Sequence, residues 1–337
     1  MRRSLKVIIW AHITIAAFLL YCSLDLLLLP LDDLTKDALL DSELNSADDK
    51  IEKPAIIPKI IHQTYKTEDV PEIWRAGQQR CKDLHPEYEY ILWTDDMARK
   101  LIEEEYDWFL ETWDSYKFPI ERADAIRYFA LVRYGGIYID LDDGCERKLD
   151  PLLTVPAFAR TTTPTGVSND VLGSVPGHPF FVKVLNNLQN YNRNWLVPYI
   201  TIMFSTGPLF LSVILEQYRR NNIPEEANVR IMLPDDYTGK ENSFFVISKG
   251  SSWHLDDARF IKALGRHIPL AVFCGITTGC FIFLMEWYFY QWCIRTNFFR
   301  SLDHMSSKVG WKTLRTRPRK DSNLPVNTVI NKEDDMV

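Results

Sequence analysis

The chain lacks the excess of basic residues that nucleic-acid binding requires. It has 39 Lys and Arg against 45 Asp and Glu, a formal net charge of -6, whereas a phosphate backbone attracts clustered cations. It also lacks an internal repeat, so a solenoid of repeated units is not expected. Because 46% of its 337 residues are hydrophobic, the chain can bury a large core. We therefore expect a folded protein that acts on a small molecule, a lipid or a sugar.

Cysteine is scarce outside the long apolar runs. Four of the six cysteines lie in or beside such runs: Cys22, Cys274, Cys280 and Cys293. The other two, Cys81 and Cys145, show no C-x-x-C spacing, so a zinc site of that type is not indicated. In an oxidising compartment these two could form a disulfide, and two free buried thiols are the alternative.

The first apolar run contains no Asp, Glu, Lys or Arg from Val7 to Leu24. In a helix, this length reaches across a bilayer core of roughly 30 Å. It shows no small-residue cleavage site, so we predict a retained signal-anchor at residues 7–29 rather than a cleaved signal peptide. Basic residues precede the run and acidic residues follow it, which places residues 1–6 in the cytosol.

A second uncharged run extends from Ile268 to Met285 and is followed by a cluster of Trp and Tyr. Such rings favour a membrane interface. We predict a second transmembrane helix at residues 268–292 and a basic cytosolic tail at residues 293–337. Both termini would then be cytosolic, and the part between the two anchors would be lumenal.

A third uncharged run, Trp195 to Leu215, is interrupted by Pro198, Gly207 and Pro208. If it crossed the membrane, residues after it would lie on the opposite side from the acidic residues described below. We therefore predict buried core leading into a helix near Gly207, with a face that could lie against the membrane.

The part between the anchors divides into two. Residues 30–53 are rich in Asp and Glu and poor in aromatic residues, which predicts a solvated stem. Residues 54–267 would form one folded domain, in which predicted strands and helices alternate: Pro58–Thr64, Pro71–Leu84, Tyr88–Trp93, a helix capped by Thr94, Glu121–Tyr134 and Ile137–Leu141. This order predicts an α/β fold with a mainly parallel sheet.

Two carboxylates, Asp140 and Asp142, stand at the end of the last of these strands, where open parallel sheets bind ligands. Together they can hold a hard divalent cation, which neutralises a diphosphate. The alternative is a polar turn, since Asp-Asp-Gly is common in turns. On the preceding helix, Asp124 and Arg127 share a face. They could bind sugar hydroxyls and phosphate, or they could form an ordinary surface ion pair.

Two histidines are candidates with structural alternatives. His254 follows a predicted strand at Phe244–Ser248 and could add an imidazole to a metal held by Asp142, although a single histidine is more often structural. His62, near the end of the first strand, is either a core imidazole or a ring that contacts a nucleotide base.

Three segments together resemble the glycosyltransferase family that has a DXD sugar-binding motif: Ile57-Pro-Lys-Ile-Ile-His-Gln-Thr, Arg122-Ala-Asp-Ala-Ile-Arg-Tyr and Tyr134-Gly-Gly-Ile-Tyr-Ile-Asp-Leu-Asp. The resemblance extends from Pro54 to His254. It implies a Rossmann-like GT-A domain between the two anchors, a Mn2+ or Mg2+ ion and retention of the anomeric configuration. The two-anchor layout and residues 194–208 resemble the branch that mannosylates a sphingolipid, which implies GDP-mannose as donor and inositol phosphorylceramide as acceptor.

The resemblance also implies roles for individual residues. The metal ligands would be Asp140, Asp142 and His254. The donor would be bound by Asp124, Arg127, Tyr138 and Asp140, and its nucleotide by His62, Gln63 and Thr64. The catalytic candidates are Asp124, Arg127 and Asp142. No nucleophile is assigned, because front-face displacement without a covalent intermediate is the usual proposal for such retaining enzymes.

Other functions stay open at this point. A mannosyl- or galactosyltransferase acting on an N-glycan or another glycolipid would share these motifs. A catalytically silent regulatory subunit could keep the fold, and a phosphatase with an aspartate nucleophile also ends a strand in Asp-x-Asp, although it would not have Asp143 next. The resemblance further implies a location in the Golgi or ER membrane and a regulatory membrane subunit as partner.

Overall fold

The computed structural model describes residues 3–45, 53–250 and 267–296 of the chain. The chain divides into two units, residues 1–266 and residues 267–337. The predicted metal ligand His254 and the basic tail beyond residue 296 lie outside the described residues.

The first unit begins with a long apolar helix, α1, at Arg3–Leu28. It supplies most of a stretch, Ile9–Leu31, that is long and apolar enough to cross a membrane. Most side chains between Trp10 and Leu27 are exposed, as expected of a helix that lipid surrounds. In length, composition and exposure, α1 matches the predicted first anchor.

The segment after α1 is not a solvated stem up to residue 45, which corrects the prediction made from its composition. It forms 3-10 turns at Leu29–Leu31 and Leu34–Asp37 and a short helix, α2, at Asp41–Leu44. Leu39 and Leu44 are buried, and the N–H of Leu39 donates to the carbonyl of Ile231 at 2.8 Å. The segment is therefore docked on the folded core.

Ion pairs explain why so acidic a segment leaves solvent. Arg219 contacts Asp32 at 2.5 Å and Asp37 at 2.6 Å, and Arg230 contacts Glu43 at 2.7 Å. Composition alone predicts solvation because it does not show the counter-charges, which lie nearly two hundred residues away along the chain.

The strands, in chain order, are β1 (Ile60–Thr64), β2 (Glu89–Trp93), β3 (Gly136–Ile139), β4 (Asp143–Cys145), β5 (Ala157–Thr161), β6 (Val167–Ser174), β7 (Val229–Met232) and β8 (Phe245–Ile247). The central sheet has the order β2-β1-β3-β6-β5-β7. β6 is antiparallel to both its neighbours, and the other strands run parallel to one another. The prediction of an α/β fold with a mainly parallel sheet is confirmed.

The described residues of the first unit form eight further α-helices: α3 (Glu72–Leu84), α4 (Asp95–Glu105), α5 (Asp107–Ser115), α6 (Pro119–Tyr134), α7 (Pro179–Tyr191), α8 (Pro198–Ser205), α9 (Pro208–Arg219) and α10 (Pro234–Tyr237). As predicted, Thr94 caps α4, since its hydroxyl accepts from the N–H of Met97 at 3.2 Å. α6 starts two residues before the predicted Glu121. Its first turn is closed by the Glu121 carboxylate, which accepts from the N–H of Phe118 at 2.9 Å.

The sheet is covered on both faces. Along β3, Ile137 and Ile139 pack into one hydrophobic cluster and Tyr138 into the other, because successive side chains of a strand point to opposite faces. The cluster around Tyr138 also contains the buried residues of α6, including Ile126 and Phe129. This alternation places the helix with Asp124 and Arg127 over the same face as Tyr138.

Two glycines let α6 pass directly into β3. Gly135 and Gly136 have φ values of +66° and +96°, a region that side chains with a Cβ rarely adopt. A Cβ at Gly136 would lie 2.6 Å from the carbonyl oxygen of Ile60 on the neighbouring strand. The tight turn fixes the distance between the helix and the strand that together carry the predicted site.

The third apolar run forms α8 and α9, separated by a break at Thr206 and Gly207. By length and composition residues 198–219 could cross a membrane, but most of them are buried within the protein. The prediction of buried core followed by a helix near Gly207 is confirmed.

A small two-stranded sheet lies beside the end of the central one. β4 pairs with β8 in an antiparallel register, and β4 is also joined to α3 by a disulfide between Cys81 and Cys145. The sequence left this pair open as a disulfide or two thiols. β8 and α3 therefore fix β4, the strand that directly follows Asp140 and Asp142 in the chain.

The second unit contains one described helix, α11, at Ile268–Arg295. Residues 272–295 of it are long and apolar enough to cross a membrane. It extends three residues beyond the predicted second transmembrane helix.

Candidate active site

An arginine between two aspartates forms the centre of the candidate site. Arg127 contacts Asp124 at 2.8 Å and Asp140 at 3.1 Å. The side chains of Arg127 and Asp124 are only 5% and 6% exposed, whereas that of Asp140 is 25% exposed. The alternative of a surface ion pair is therefore excluded, and of the three groups only Asp140 is open to a ligand.

Strands β3 and β6 hold this arginine and its partners in place. The Arg127 guanidinium donates to the backbone carbonyl of Asn169 at 2.7 Å, and the hydroxyl of Tyr138 donates to the Asp140 carboxylate at 2.7 Å. The guanidinium carbon of Arg127 also lies 4.8 Å from the centre of the Tyr138 ring. Because Tyr138 is fully buried, its hydroxyl orients Asp140 from the protein interior.

Burial raises the pKa of both aspartates in this cluster. It raises the pKa of Asp140 to about 7, with Asp142 adding to the shift and Arg127 opposing it. Burial also raises the pKa of Asp124, against the opposing effects of Arg127 and of a hydrogen bond from Thr206. A cation bound at Asp140 would favour its ionised form.

Asp142, the second carboxylate of the motif, faces a different part of the chain. Its carbonyl accepts from the N–H of Ser248 at 2.7 Å, and a Cβ on Gly250 would lie 1.5 Å from its Oδ2. Only glycine fits at position 250 without moving Asp142. The segment that follows β8, from Ser248 to Gly250, therefore passes beside the Asp142 carboxylate.

A second group of polar residues, buried or partly buried, packs against the motif. The carbonyl of Asp170 accepts from the N–H of Asp140 at 2.8 Å, and the carboxylate of Asp170 is held by two bonds from Arg160. Asp143 is also buried and accepts from the hydroxyl of Tyr237 at 2.6 Å. Burial raises the pKa of Asp143 well above its usual range.

The break between α8 and α9 reaches the same centre. The hydroxyl of Thr206 donates to Asp124 at 3.1 Å, and the carbonyl of Thr206 accepts from the hydroxyl of Tyr128 at 2.7 Å. The break in the middle of the third apolar run therefore contacts Asp124, a candidate catalytic residue.

The predicted nucleotide-binding residues on β1 are less open. His62 is fully buried. Its Nδ1 accepts from the Trp93 indole N–H at 3.1 Å, and its Nε2 lies 2.7 Å from the Gly135 carbonyl. Desolvation lowers the pKa of His62 to about 4, so the ring is a neutral core imidazole, the structural alternative of the two.

Its neighbours differ from one another. Gln63 is buried and accepts from the Tyr90 hydroxyl at 2.6 Å. Thr64 is partly exposed, and its hydroxyl donates to the carbonyl of Trp93 at 3.1 Å. A nucleotide role for this segment stays a prediction, and Thr64 is the residue of the three that a ligand can reach.

The donor set fits a hard divalent cation that binds few protein ligands. Within the described residues, no group of three or more His, Cys, Asp or Glu side chains converges on one point. Asp140 and Asp142 supply carboxylate oxygens, and Mg2+ is commonly held by one or two carboxylates together with the phosphates of a substrate. His254 as a third ligand stays a prediction outside the described residues.

Several residues of the site were not predicted from the sequence. They are Asn169, Asp170, Arg160 and Thr206. The signal for the first two was an amide and an acid in the middle of a strand, Val167–Ser174, in which Val167, Val171 and Leu172 are apolar. Arg160 and Thr206 carried no such signal, because only the tertiary fold brings them to Asp170 and Asp124.

Comparison with known proteins agrees with this geometry. Residues 71–159 match a family model described as a glycosyltransferase sugar-binding region containing a DXD motif. The matched range includes Asp124, Arg127, Asp140 and Asp142.

The relatives extend well beyond that range. The chain is 59% identical over 298 residues to the mannosyl phosphorylinositol ceramide synthase SUR1 of Saccharomyces cerevisiae, covering 88% of this chain and 78% of the relative. It is 57% identical to the synthase CSH1 of the same yeast, covering 87% and 79%. It is 48% identical to inositol phosphoceramide mannosyltransferase 2 of Schizosaccharomyces pombe, covering 74% and 72%.

Proposed function

This chain belongs to the DXD-containing glycosyltransferase family, together with the yeast mannosyl phosphorylinositol ceramide synthases, and we propose that it transfers mannose from GDP-mannose to inositol phosphorylceramide with retention of configuration. The observation that carries this proposal is the buried Asp124–Arg127–Asp140 cluster beside Asp142 at the end of the sheet. The activities of the yeast relatives select the sugar and the acceptor.

In this proposal, the more exposed residues of the site bind the metal ion, and the buried residues position them. Asp140 and Asp142 would hold a Mn2+ or Mg2+ ion, which supplies positive charge to the departing diphosphate. Arg127 fixes Asp140 and balances the charge of two carboxylates. Asp124 accepts a hydrogen bond from Thr206 at the break between α8 and α9, and it orients the sugar-binding face of the cluster.

No protein side chain acts as a nucleophile in this proposal. In the transfer, the bond between the anomeric carbon and the phosphate oxygen breaks, and a bond to an inositol hydroxyl oxygen forms on the same face. The electron pair of the broken bond leaves on GDP, and the hydroxyl proton passes to the departing phosphate. The buried cluster around Arg127 stabilises the charge that develops without reorganising.

The disulfide supports a lumenal location for the core. Disulfides persist in oxidising compartments and are rare in the cytosol, and Cys81 and Cys145 are joined in the first unit. We propose that the core faces the lumen of the Golgi or ER and that both termini are cytosolic. Protease treatment of sealed microsomes should then remove the tail beyond Arg295 and spare Asp140, whereas a protected tail contradicts this topology.

Donor and acceptor are tested together by product analysis. Membranes that contain the full chain, from cells lacking other such transferases, are incubated with inositol phosphorylceramide and labelled GDP-mannose or UDP-galactose. A mannosylated inositol phosphorylceramide from GDP-mannose alone is expected. A galactosylated lipid, or label in glycan only, would favour the alternative transferases.

The same assay tests the catalytically silent alternative. A variant with Asp142→Asn serves as the inactive control. If wild-type and variant membranes give equal, background levels of product and of donor hydrolysis, the chain is a regulatory subunit instead. A regulatory membrane subunit as partner is proposed from the family resemblance, and the assay on purified chain shows whether activity needs it.

A further inference from the structure

The loop between α7 and α8 presents apolar side chains to the outside. Its three residues Trp195, Leu196 and Val197, called the apolar lip below, include the most exposed large hydrophobic residue of the described chain, Leu196 at 90%. The Trp195 side chain is 49% exposed. Soluble proteins rarely present such side chains together at a loop tip without a partner.

Hydrogen bonds from neighbouring residues hold the lip in an unusual backbone conformation. Leu196 has a φ of +67°, and among the described residues no other non-glycine residue has a positive φ. The Asn194 side chain accepts from the N–H of Leu196 at 3.0 Å, and the buried Thr201 hydroxyl accepts from the N–H of Trp195 at 3.0 Å. An unfavourable backbone conformation that neighbouring groups enforce points to a function for the side chain it displays.

On one side, the lip is connected to the first anchor. α7 ends at Tyr191, four residues before the lip. The Gln217 amide lies 3.4 Å from the Tyr191 hydroxyl and donates to Asp25 of α1 at 2.6 Å. Asp25 belongs to the stretch that is long and apolar enough to cross a membrane. The lip therefore follows, after four residues, the end of a helix that is linked to α1 through Gln217.

On the other side, the lip is connected to the candidate active site. α8 follows it directly and ends at Ser205, one residue before the Thr206 that donates to Asp124. The eight residues of α8 extend about 12 Å. The lip and the catalytic cluster are thus separated by one short, partly buried helix.

We propose that the apolar lip inserts into the lumenal leaflet of the membrane and sets the height of the active site above the lipid surface. Trp and Leu are side chains that favour the boundary between headgroups and acyl chains. A bilayer is the occupant that the connection to α1 favours. The role in presenting a lipid acceptor to the candidate active site rests on the proposed function, whereas the insertion itself does not.

Insertion is measured without any enzymatic activity. The full chain, with Cys22, Cys274, Cys280 and Cys293 changed to Ser, carries one new cysteine at position 196 (Leu196→Cys) labelled with bimane. The matched control carries it at position 97 (Met97→Cys), an exposed apolar residue of α4. Both are reconstituted into phosphatidylcholine vesicles with or without nitroxide-labelled lipid.

We expect the nitroxide lipid to quench bimane fluorescence strongly at position 196 and weakly at position 97. Equal quenching at the two positions overturns the proposal. Shielding of position 196 from a water-soluble quencher without any quenching by lipid also overturns it, since a protein partner would then cover the lip.

The consequence for transfer is measured with Leu196→Asn and Met97→Asn. Asparagine tolerates a positive φ, so Leu196→Asn keeps the shape of the loop and removes the apolar contact. We expect KM for membrane-embedded inositol phosphorylceramide to rise about tenfold, the effect of losing one buried leucine side chain. Donor hydrolysis should be unchanged, and Leu196→Met should behave like wild type.

The outcomes separate this inference from the proposed function. If wild-type protein makes no mannosylated lipid but position 196 is quenched by lipid, the proposed function fails and the insertion stands. If wild type makes the lipid and Leu196→Asn transfers normally, the acceptor role of the lip is wrong.

Discussion

Two regions of this protein use the same group, an arginine between two aspartates, for different purposes. In the site, Arg127 joins Asp124 and Asp140. On the surface, Arg219 joins Asp32 and Asp37. The distances are alike, but the side chains of Arg127 and Asp124 are 5% and 6% exposed, whereas those around Arg219 are between 16% and 22% exposed.

The two clusters differ in the burial of the arginine and not in the pairing itself, so burial is the property that sets the candidate catalytic cluster apart from the docking contact. A buried charge cannot turn to water when its partner is lost, so it has a fixed position and a perturbed pKa. A partly exposed pair can be rehydrated and contributes less. The buried cluster around Arg127 is suited to stabilising a changing charge. The partly exposed cluster around Arg219 is suited to attaching the N-terminal segment to the core.

The largest effect is expected from the acid that faces the ligand. Asp142→Asn should lower transfer by at least about a hundredfold, because it removes charge at the metal and diphosphate. Thermal unfolding should hardly change, since Asp142 is partly exposed. Mannosyl transfer by purified full chain, with Asp114→Asn as control at an exposed ion pair, measures this. Normal turnover with normal metal dependence would contradict the assignment.

Arg127→Met should affect both folding and activity. It leaves Asp124 and Asp140 buried without their counter-charge, which costs about 3–5 kcal/mol when one member of a buried pair is removed. The midpoint of urea unfolding in detergent reports this loss. A second substitution, Asp124→Asn, should restore part of the stability but none of the transfer, and full recovery of transfer would show that the cluster is only structural.

Arg219→Met makes the same chemical change in the docking cluster and should cost no more than about 1 kcal/mol, because Asp32 and Asp37 can be hydrated. Transfer per mole of folded protein should stay at the wild-type level. A loss of stability equal to that of Arg127→Met would show that burial does not separate the two regions.

The smallest effect is a loosening of the N-terminal segment in acid. Burial alone would raise the pKa of Glu43, but hydrogen bonds from Lys53 and Arg230 lower it to about 2. A lowered folded-state pKa gives stability that is present above pH 4.5 and is lost as the pH falls towards 2. Hydrogen exchange at residues 38–45, corrected for the intrinsic rate, should rise over this window. Glu43→Gln should show a weaker pH dependence, and an equal one would exclude Glu43 as the cause.

The parts that the sequence predicted share one property, which is a local pattern. Thr94 as a helix cap, the helix that ends at Tyr134 and the strand that leads into Asp140 depend on neighbours along the chain, so residue type and spacing were sufficient. The same applies to the pair Asp124 and Arg127, three residues apart on one helix.

The parts that were missed depend on distant residues. The acidic segment from Asp32 to Glu43 looked solvated because Arg219 and Arg230 are far away in sequence. His62 was ambiguous until Trp93 and the Gly135 carbonyl were seen to occupy its two ring nitrogens.

The sequence by itself determined the family, the two long apolar helices and the four charged residues of the candidate site, because each is encoded in composition or in a short motif. Only the tertiary structure decided which charges are buried, that Cys81 meets Cys145, and that Leu196 is displayed between the first anchor and Asp124. The physical reason is that burial and long-range pairing belong to the packed chain, in which residues far apart in sequence remove one another from water.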